Sequence, residues 1–348
     1  MCCDFRTAAP ETAPFDSHKR VRHFAGLVLG PEEFQQDQLY FMERDRLHQR
    51  ALHGYGTVLG LAVRVRDNAL GRPEVLVDPG LAVTPRGESV CVPLAQCADL
   101  DGWLNVHAAE LGGGGIGSPP GSPPIGSPPS QLTLWVLLCA RECETDMVPV
   151  LGDPCRTAED ATAPSRIADD FELKLQTSPP EHLEETAVRV LGQLLRAIDV
   201  TDVGGPFLTP DELAALVRRL APIGSPPAIP SLAEVLATGS PPPVFSPPGT
   251  LLLHPADAEA AFMAAWHEWV TFVRPRIQLD AAGRPAAGCA NGGPGCVLLG
   301  RLDFEITSTA TGLQVDGPVQ VNDVDRPWLL HTRLIQELSV TPWLPSAP

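Results

Sequence analysis

The sequence predicts an α+β protein, in which a β-rich frame carries a long amino-terminal helix and an inserted helical module. Three observations support this class. The stretch from Pro31 to about Leu52 contains no residue that breaks a helix. Short segments between 57 and 93, and again between 297 and 321, have the turn residues and β-branched side chains of strands. Helical patterns are concentrated instead between 181 and 273.

Composition and charge exclude several classes of function. The 348-residue chain has a net charge of −17, whereas nucleic-acid binding depends on lysine and arginine that neutralise phosphates. The same charge opposes binding to an anionic membrane surface. No apolar run approaches the roughly 20 residues that span a bilayer. The first residues, Met1–Arg6, lack the apolar core of a signal peptide, so we expect a cytoplasmic protein without membrane insertion.

Residues 1–20 are polar and contain prolines, and we interpret them as an arm. The nucleus, residues 21–111, begins with the helix. Pro31 suits the first helical position. Gly54 suits the residue that ends the helix, because glycine reaches the left-handed conformation without strain. Part of an apolar stripe comes from Phe34, Leu39, Met42 and Leu47. A solvated or intersubunit charged face is predicted from Glu43, Arg44, Asp45, Arg46 and Arg50.

The rest of the nucleus is predicted to be a small antiparallel meander over 57–93. Thr57 to Val65 is one β-rich run. Turn signals follow at Pro79-Gly80 and at Pro85-Arg86-Gly87. The Tyr55-Gly56 pair is expected to turn the chain from the helix into this meander.

Residues 112–130 read as a linker, because Gly-Ser-Pro-Pro occurs there three times. It returns at 224–227 and 239–242. Such segments have little to bury, so we expect solvated spacers that are semi-stiff at the prolines. A role as a proline-recognition ligand is the alternative, although basic residues do not flank the repeats.

Residues 131–180 form the next predicted segment. Gln131 to Ala140 is nearly all apolar and predicts a strand buried on both faces. We interpret 141–166 as an irregular cysteine-containing loop, and Ile167 to Leu175 as another alternating strand.

The helical module, residues 181–273 with its proline-rich linkers, contains three main predicted helices. They cover 181–198, a helix capped by Thr209, and 255–273, and a short helix capped by Ser231 lies between the last two. The final segment, 274–348, is predicted to hold strands at 297–306 and 312–321 and a short helix at 332–338.

Three cysteines define a candidate metal site. Cys139, Cys143 and Cys155 occur among several carboxylates, and thiolates with carboxylates can hold zinc. The paired CxxC signature of structural zinc is missing, and Cys139 also suits a small buried apolar residue. The loop between Cys289 and Cys296 could form a disulfide, supply metal ligands or hold structural thiols. As in other cytoplasmic proteins, the nine cysteines are expected to be reduced or to serve as metal ligands.

Signatures of common enzymes are missing from the sequence. It contains no GxSxG elbow, no P-loop and no GxGxxG after a strand. His48 and Glu43 are five residues apart, which does not place them on one helix face. We therefore expect no enzymatic activity and assign no catalytic residue and no cofactor.

Five blocks of sequence resemble a family encoded among the baseplate and tail genes of phage-tail-like contractile injection systems. They are Phe24–Phe34, Arg46–Val63, Val77–Val90, Glu142–Val150 and Arg326–Glu337. The resemblance implies a structural subunit that assembles with other subunits of such a particle as a homo- or hetero-oligomer. It implies no catalytic residues. The particle would be assembled in the cytoplasm and could be released from it.

Two rival functions remain open on the sequence alone. One is a metal-dependent enzyme that uses zinc in the Cys139–Cys155 loop. The other is a cytoplasmic adaptor that presents its proline-rich spacers to a partner. The sequence does not give the position or copy number of the protein in a particle.

Overall fold

The computed structural model describes residues 18–111, 129–149, 162–180, 182–224, 227–237, 251–278, 295–309, 312–332 and 334–335. Most of the predicted linker at 112–130, together with Cys155 and Cys289, lies outside these residues. The chain divides into two compact units. Unit 1 combines Met1–Pro180 with Gly292–Pro348, and unit 2 is Glu181–Asn291. The predicted fold class, a β-rich antiparallel frame with a long amino-terminal helix and an inserted helical module, is confirmed.

Helix α1, Pro31–His48, continues into a single π-helical turn, Gln49–His53. The carboxylate of Glu33 accepts a hydrogen bond of 2.7 Å from the Gly30 backbone N–H, so the first turn is capped. Gly54 ends the helix, as predicted, but not in the left-handed helical conformation that we expected. Its φ of 83° and ψ of −161° lie in a region that is essentially restricted to glycine.

The segment predicted as one meander forms two separate antiparallel sheets. The first sheet has the strand order β1-β4-β5, and the second has the order β2-β3-β6. The predicted run 57–65 is broken at Leu61, which is wholly buried and has a φ of 56°, so that β1 belongs to the first sheet and β2 to the second. The six strands are β1 (Gly56–Gly60), β2 (Val63–Asp67), β3 (Pro73–Val77), β4 (Gly80–Val83), β5 (Ser89–Val92) and β6 (Gln96–Asp99).

A larger antiparallel sheet has the order β12-β11-β7-β8 and draws strands from both halves of the chain. Its strands are β7 (Ser130–Pro149), β8 (Thr162–Gln176), β11 (Cys296–Thr309) and β12 (Gly312–Asn322). The prediction of an irregular loop at 141–166 is wrong for 141–149 and 162–166, which lie in strands. Strand β7 continues to Pro149 and β8 begins at Thr162, because the two strands pair with each other well past the rest of the sheet.

The core of unit 1 lies between one face of the larger sheet, the two small sheets and helix α2 (Leu100–Val106). A second short helix, α3 (Ala108–Leu111), follows α2. Wholly buried leucines include Leu61, Leu104, Leu134 and Leu299. Each contributes roughly 1.5–3 kcal/mol relative to an exposed side chain, so the core stabilises the frame to which α1 is attached.

Unit 2 is mainly helical, with its own core and a parallel strand pair, β9 (Ile198–Val200) and β10 (Leu251–Leu253). The predicted caps are confirmed: Thr209 and Ser231 both form capping boxes with a glutamate three residues later. The helices are α4 (Leu183–Arg196), α5 (Pro210–Arg218), α6 (Leu232–Ala237), α7 (Ala258–Glu268) and α8 (Arg274–Gln278). None of the helices in the described residues is long and apolar enough to span a bilayer.

Candidate assembly surface

The cysteines predicted as metal ligands do not come together in the structure. Cys139 forms a disulfide with Cys296, its partner in the pairing of β7 with β11. Cys143 has a free thiol four residues further along β7. At about 3.3 Å per residue, its sulfur is roughly 13 Å from that of Cys139, too far for one metal ion to bind both.

Cys155 lies outside the described residues, so the metal site stays a prediction without structural support. Within those residues, no three histidine, cysteine or acidic side chains lie close enough to hold a metal ion. The disulfide also corrects the expectation that these cysteines are reduced. Of the three roles weighed for Cys296, it takes that of a disulfide partner, but its partner is Cys139 and not Cys289.

Arg46 joins α1 to the frame. Its guanidinium lies 2.9 Å from Glu43, 3.0 Å from Glu88 immediately before β5, and 3.4 Å from Glu142 in β7. Partial burial alone would lower the pKa of Arg46, but the hydrogen bond to Glu43 and the charges of all three carboxylates raise it above its usual value. Arg46 is therefore not part of a solvated charged face, as the sequence suggested, but a half-buried intramolecular contact.

Gly87 allows α1 to approach the frame this closely. It has a φ of 86°, and a Cβ atom built on it would lie 2.1 Å from the carbonyl oxygen of Arg46. Any larger residue would push the end of the helix away from the β4–β5 turn. The turn signal at Pro85-Arg86-Gly87 was visible in the sequence, but the contact with α1, some forty residues earlier in the chain, was not.

Arg326 closes the corner between β1 and β2. Its side chain is 2% exposed and donates to the Thr57 hydroxyl at 2.8 Å and to the Gly60 and Leu61 carbonyls at 2.9 Å. Its guanidinium also lies 4.4 Å from the centre of the Trp328 ring. Burial lowers the pKa of Arg326 to about 10, and the group still carries its charge at neutral pH.

Backbone hydrogen bonds extend this corner. The Thr57 N–H donates to the Pro327 carbonyl, and the Leu329 N–H donates to the Thr57 carbonyl, both at 2.9 Å. Arg326 and Arg46 thus link four of the five sequence blocks that resemble the injection-system family. The blocks meet at structural junctions, and sequence reasoning missed this because no local pattern pairs residues so far apart in the chain.

We call residues 18–53 the hook. It comprises residues 18–30, which overlap the end of the predicted arm and are called the arm from here on, and α1 with its π turn. None of the residues in α1 is buried. Its apolar side chains also do not form the single stripe that the sequence suggested, because at about 100° per residue they are distributed around the helix. The hook exposes Phe24, Val28, Leu29, Phe34, Phe41, Met42, Leu47 and Leu52.

Exposed apolar side chains at this density mark a surface that binds another protein. Phe34 and Phe41 expose 57% and 59% of their area, and Leu52 exposes 71%. The arm adds positive charge through Lys19, Arg20 and Arg22. The hook is therefore the candidate functional surface, and its chemistry suits binding to a protein rather than catalysis.

Comparison with known proteins gives little further information. No family model matches the sequence, and no curated protein matches it. A crystal structure of TssK is similar over 47% of this chain, with a TM-score of 0.25 and 14% identity. A cryo-electron microscopy structure of the type VI secretion system TssK-TssF-TssG baseplate subcomplex is similar over 51% of this chain and 69% of that chain, with a TM-score of 0.24 and 13% identity. The chain spans 36% of the first of these proteins, and neither likeness is strong enough to support an argument about function.

Proposed function

We propose that this protein is a structural component of a phage-tail-like contractile injection particle, located at the baseplate or its periphery. It would act by protein–protein assembly and have no catalytic activity of its own. The observation that carries the proposal is the hook, in which the 18-residue helix α1 has no fully buried residue. The sequence resemblance to baseplate and tail proteins supplies the kind of particle.

The exposed helix α1 needs packing against another surface to be stable. Short helices are only marginally stable in water, and in proteins most of their stability comes from packing. α1 meets its own frame near Arg46 and Gly87, at its carboxyl-terminal end. Burying both Phe34 and Phe41 against a partner would contribute roughly 2–4 kcal/mol. A neighbouring subunit can supply this packing.

The two arginine junctions fit the same role. Arg46 and Arg326 hold the frame and the hook through contacts that are all intramolecular. Such contacts would fix the hook in the same position on the frame in every subunit. A symmetric particle needs this, because it repeats the same interface many times. The partners would be other subunits of the particle, either identical copies or different chains, brought together in the cytoplasm.

The test examines purified particles by mass spectrometry. Wild-type protein should be present in constant proportion to the other components. The F34S/F41S variant should fold normally but be missing from particles, because neither phenylalanine is buried in the isolated chain. As a control, L70S/L94S changes two similarly exposed side chains outside the hook and should be incorporated normally.

Two results would count against the proposal. Normal incorporation of F34S/F41S would show that the hook is not the assembly surface. A wild-type protein that is missing from purified particles, or that shows enzymatic turnover in isolation, would overturn the structural role as a whole.

A further inference from the structure

Strands β7 and β8 extend beyond the larger sheet as a two-stranded ribbon, which we define as residues 141–149 and 162–170. Within the described residues, which exclude 279–294, the pairing of β7 with β11 ends at Cys139, whereas its pairing with β8 continues to Pro149. No residue of the ribbon is buried. An isolated pair of strands is marginally stable in water, so an extension of this length is suited to contact another protein.

One face of the ribbon is acidic around an apolar centre. Glu142 is opposite Asp169, and Glu144 is opposite Ile167, so the four side chains lie on the same face. Ile167 exposes 67% of its area. Glu142 contacts Arg46, but Glu144 and Asp169 form no ion pair with any described residue.

The opposite face of the ribbon differs. There Arg141 pairs with Asp170 across the strands at 2.8 Å, so the charges are compensated within the ribbon. The acidic face is therefore the one that still lacks its counter-charge. Since this face also exposes Ile167, its complement is a segment that is both basic and apolar.

The arm at the start of the hook has this composition. Lys19, Arg20 and Arg22 lie within four residues, in a chain whose net charge is −17. Val21 and Phe24 supply apolar side chains, and Phe24 is 60% exposed. Most of the surface of such an acidic protein would repel the ribbon, whereas the arm would be attracted to it.

The arm does not reach the ribbon of its own chain. The Lys19 carbonyl accepts a hydrogen bond from the Gln36 side chain, and His23 lies 3.9 Å from Asp37. Since α1 rises 1.5 Å per residue, Gln36 is about 15 Å along the helix from Arg46, which contacts the ribbon. Each copy thus presents a basic arm and an acidic face that it does not join itself.

We propose that the arm of one copy binds the acidic ribbon face of a second copy, so that copies assemble by exchanging arms. This deepens the proposed function, on which it rests, by naming one partner and both surfaces. The arm and the ribbon face are different surfaces, so a reciprocal exchange about a two-fold axis builds a pair, and a head-to-tail exchange builds a closed ring or an open filament. Exposed charges are screened by salt, so the association should weaken as ionic strength rises.

Charge reversal on each surface provides the test, with full-length protein and sedimentation equilibrium as the measure of self-association. R20E/R22E reverses the arm and E144K/D169K reverses the ribbon face. Each variant alone should raise the Kd of self-association about tenfold or more, because like charges then face each other. Mixing the two should restore association, since each interface in the mixed complex again joins opposite charges.

A control matched to E144K/D169K, D202K/D316K, raises the net charge by the same amount at two exposed positions away from the ribbon. It should change the Kd by no more than a factor of about two or three, because exposed charges outside the interface contribute little to the free energy of association. Because all four altered residues of the two test variants are exposed, their unfolding temperatures should match that of the wild type.

Three outcomes would overturn the inference. They are a wild type that stays monomeric at low salt, reversed variants that associate as strongly as the wild type, and a mixture that fails to recover. If the wild type is monomeric yet R20E/R22E is lost from purified particles, the arm binds a different subunit, and the proposed structural role survives. If the wild type is also missing from particles, both proposals fail together.

Discussion

Replacing Arg326 by methionine tests whether the corner between β1 and β2 depends on this one side chain. Methionine keeps a flexible apolar chain of similar length but removes every donor. Three acceptors would then lose their hydrogen bonds: the Thr57 hydroxyl and the carbonyls of Gly60 and Leu61. The perturbation is therefore confined to one buried contact and leaves the surface charge of the hook unchanged.

The magnitude follows from those three contacts. A buried acceptor that loses its donor costs about 1–3 kcal/mol. Burial of the charged guanidinium has a desolvation cost, which is also what lowers the pKa of Arg326 to about 10. The variant no longer has this cost, so part of the lost stability is recovered. Over three acceptors, and with that part recovered, we expect a net loss of about 3–5 kcal/mol. In a unit of this size each kcal/mol lowers Tm by roughly 2–4 °C.

The assay combines denaturant unfolding of the full-length protein with amide hydrogen exchange. Exchange should rise at Thr57 and Leu329, whose N–H groups form the backbone hydrogen bonds of the corner. R64M is the control, because Arg64 is exposed and only forms a surface ion pair with Asp78, worth less than about 1 kcal/mol. If R326M destabilises the protein no more than R64M does, the corner does not depend on Arg326 and our reasoning is wrong.

Four further predictions concern single positions or segments. Gly54→Val should cost about 1–2 kcal/mol in the free energy of unfolding, all of it from the backbone, because its φ and ψ strain any other residue and no atom lies within 4 Å of the added Cβ. Gly87→Ala should cost about 3 kcal/mol, since the clash with the Arg46 carbonyl adds to the strain of a positive φ. A Gly54→Val variant as stable as the wild type, or a Gly87→Ala variant no worse than Gly54→Val, would contradict these two. Burial lowers the pKa of His182 to about 4, so its protonation favours the unfolded state and stability should fall as pH drops from about 6.5 to 4. In His182→Leu this acid loss should shrink by up to about 1.4 kcal/mol per pH unit, and an unchanged pH profile would exclude His182 as its source. Replacing residues 116–129 by a glycine-serine linker should leave Tm unchanged, and a fall of more than about 5 °C would show that they pack.

The sequence was a good guide wherever the signal is local. The helix from Pro31, its end at Gly54 and the caps at Thr209 and Ser231 each depend on residues within one or two turns, and all four are confirmed. The alternation of apolar residues likewise located the strand at Ile167. Such features are readable because propensity and capping act between neighbours in the chain.

Long-range pairing could not be read in the same way. The stretch after Ala140 looks polar and irregular, but it forms a strand because β8 pairs with it and neither face of the ribbon has to enter a core. The break at Leu61 is similar, since the burial of that side chain between the sheets offsets an unfavourable φ. In both cases tertiary contacts outweigh the local preference.

The candidate site shows the same division. Cys139 and Cys143 are close in sequence but extended strand geometry separates them, whereas Cys139 and Cys296 are 157 residues apart and adjacent strands bring them together. The exposed side chains of α1 are ordinary helix residues in the sequence, and only the structure shows that they bury nothing in their own chain.

The separation of Arg326 from its acceptors sets an order of events during protein synthesis. Arg326 follows Thr57, Gly60 and Leu61 by 265 to 269 residues. A ribosome that adds about 5–20 residues per second needs tens of seconds to cross that interval. During that time the whole of unit 2 is made and has the residues of its own core, while the corner of unit 1 stays open. A nascent chain therefore cannot present a completed frame to its partners until translation has passed residue 326.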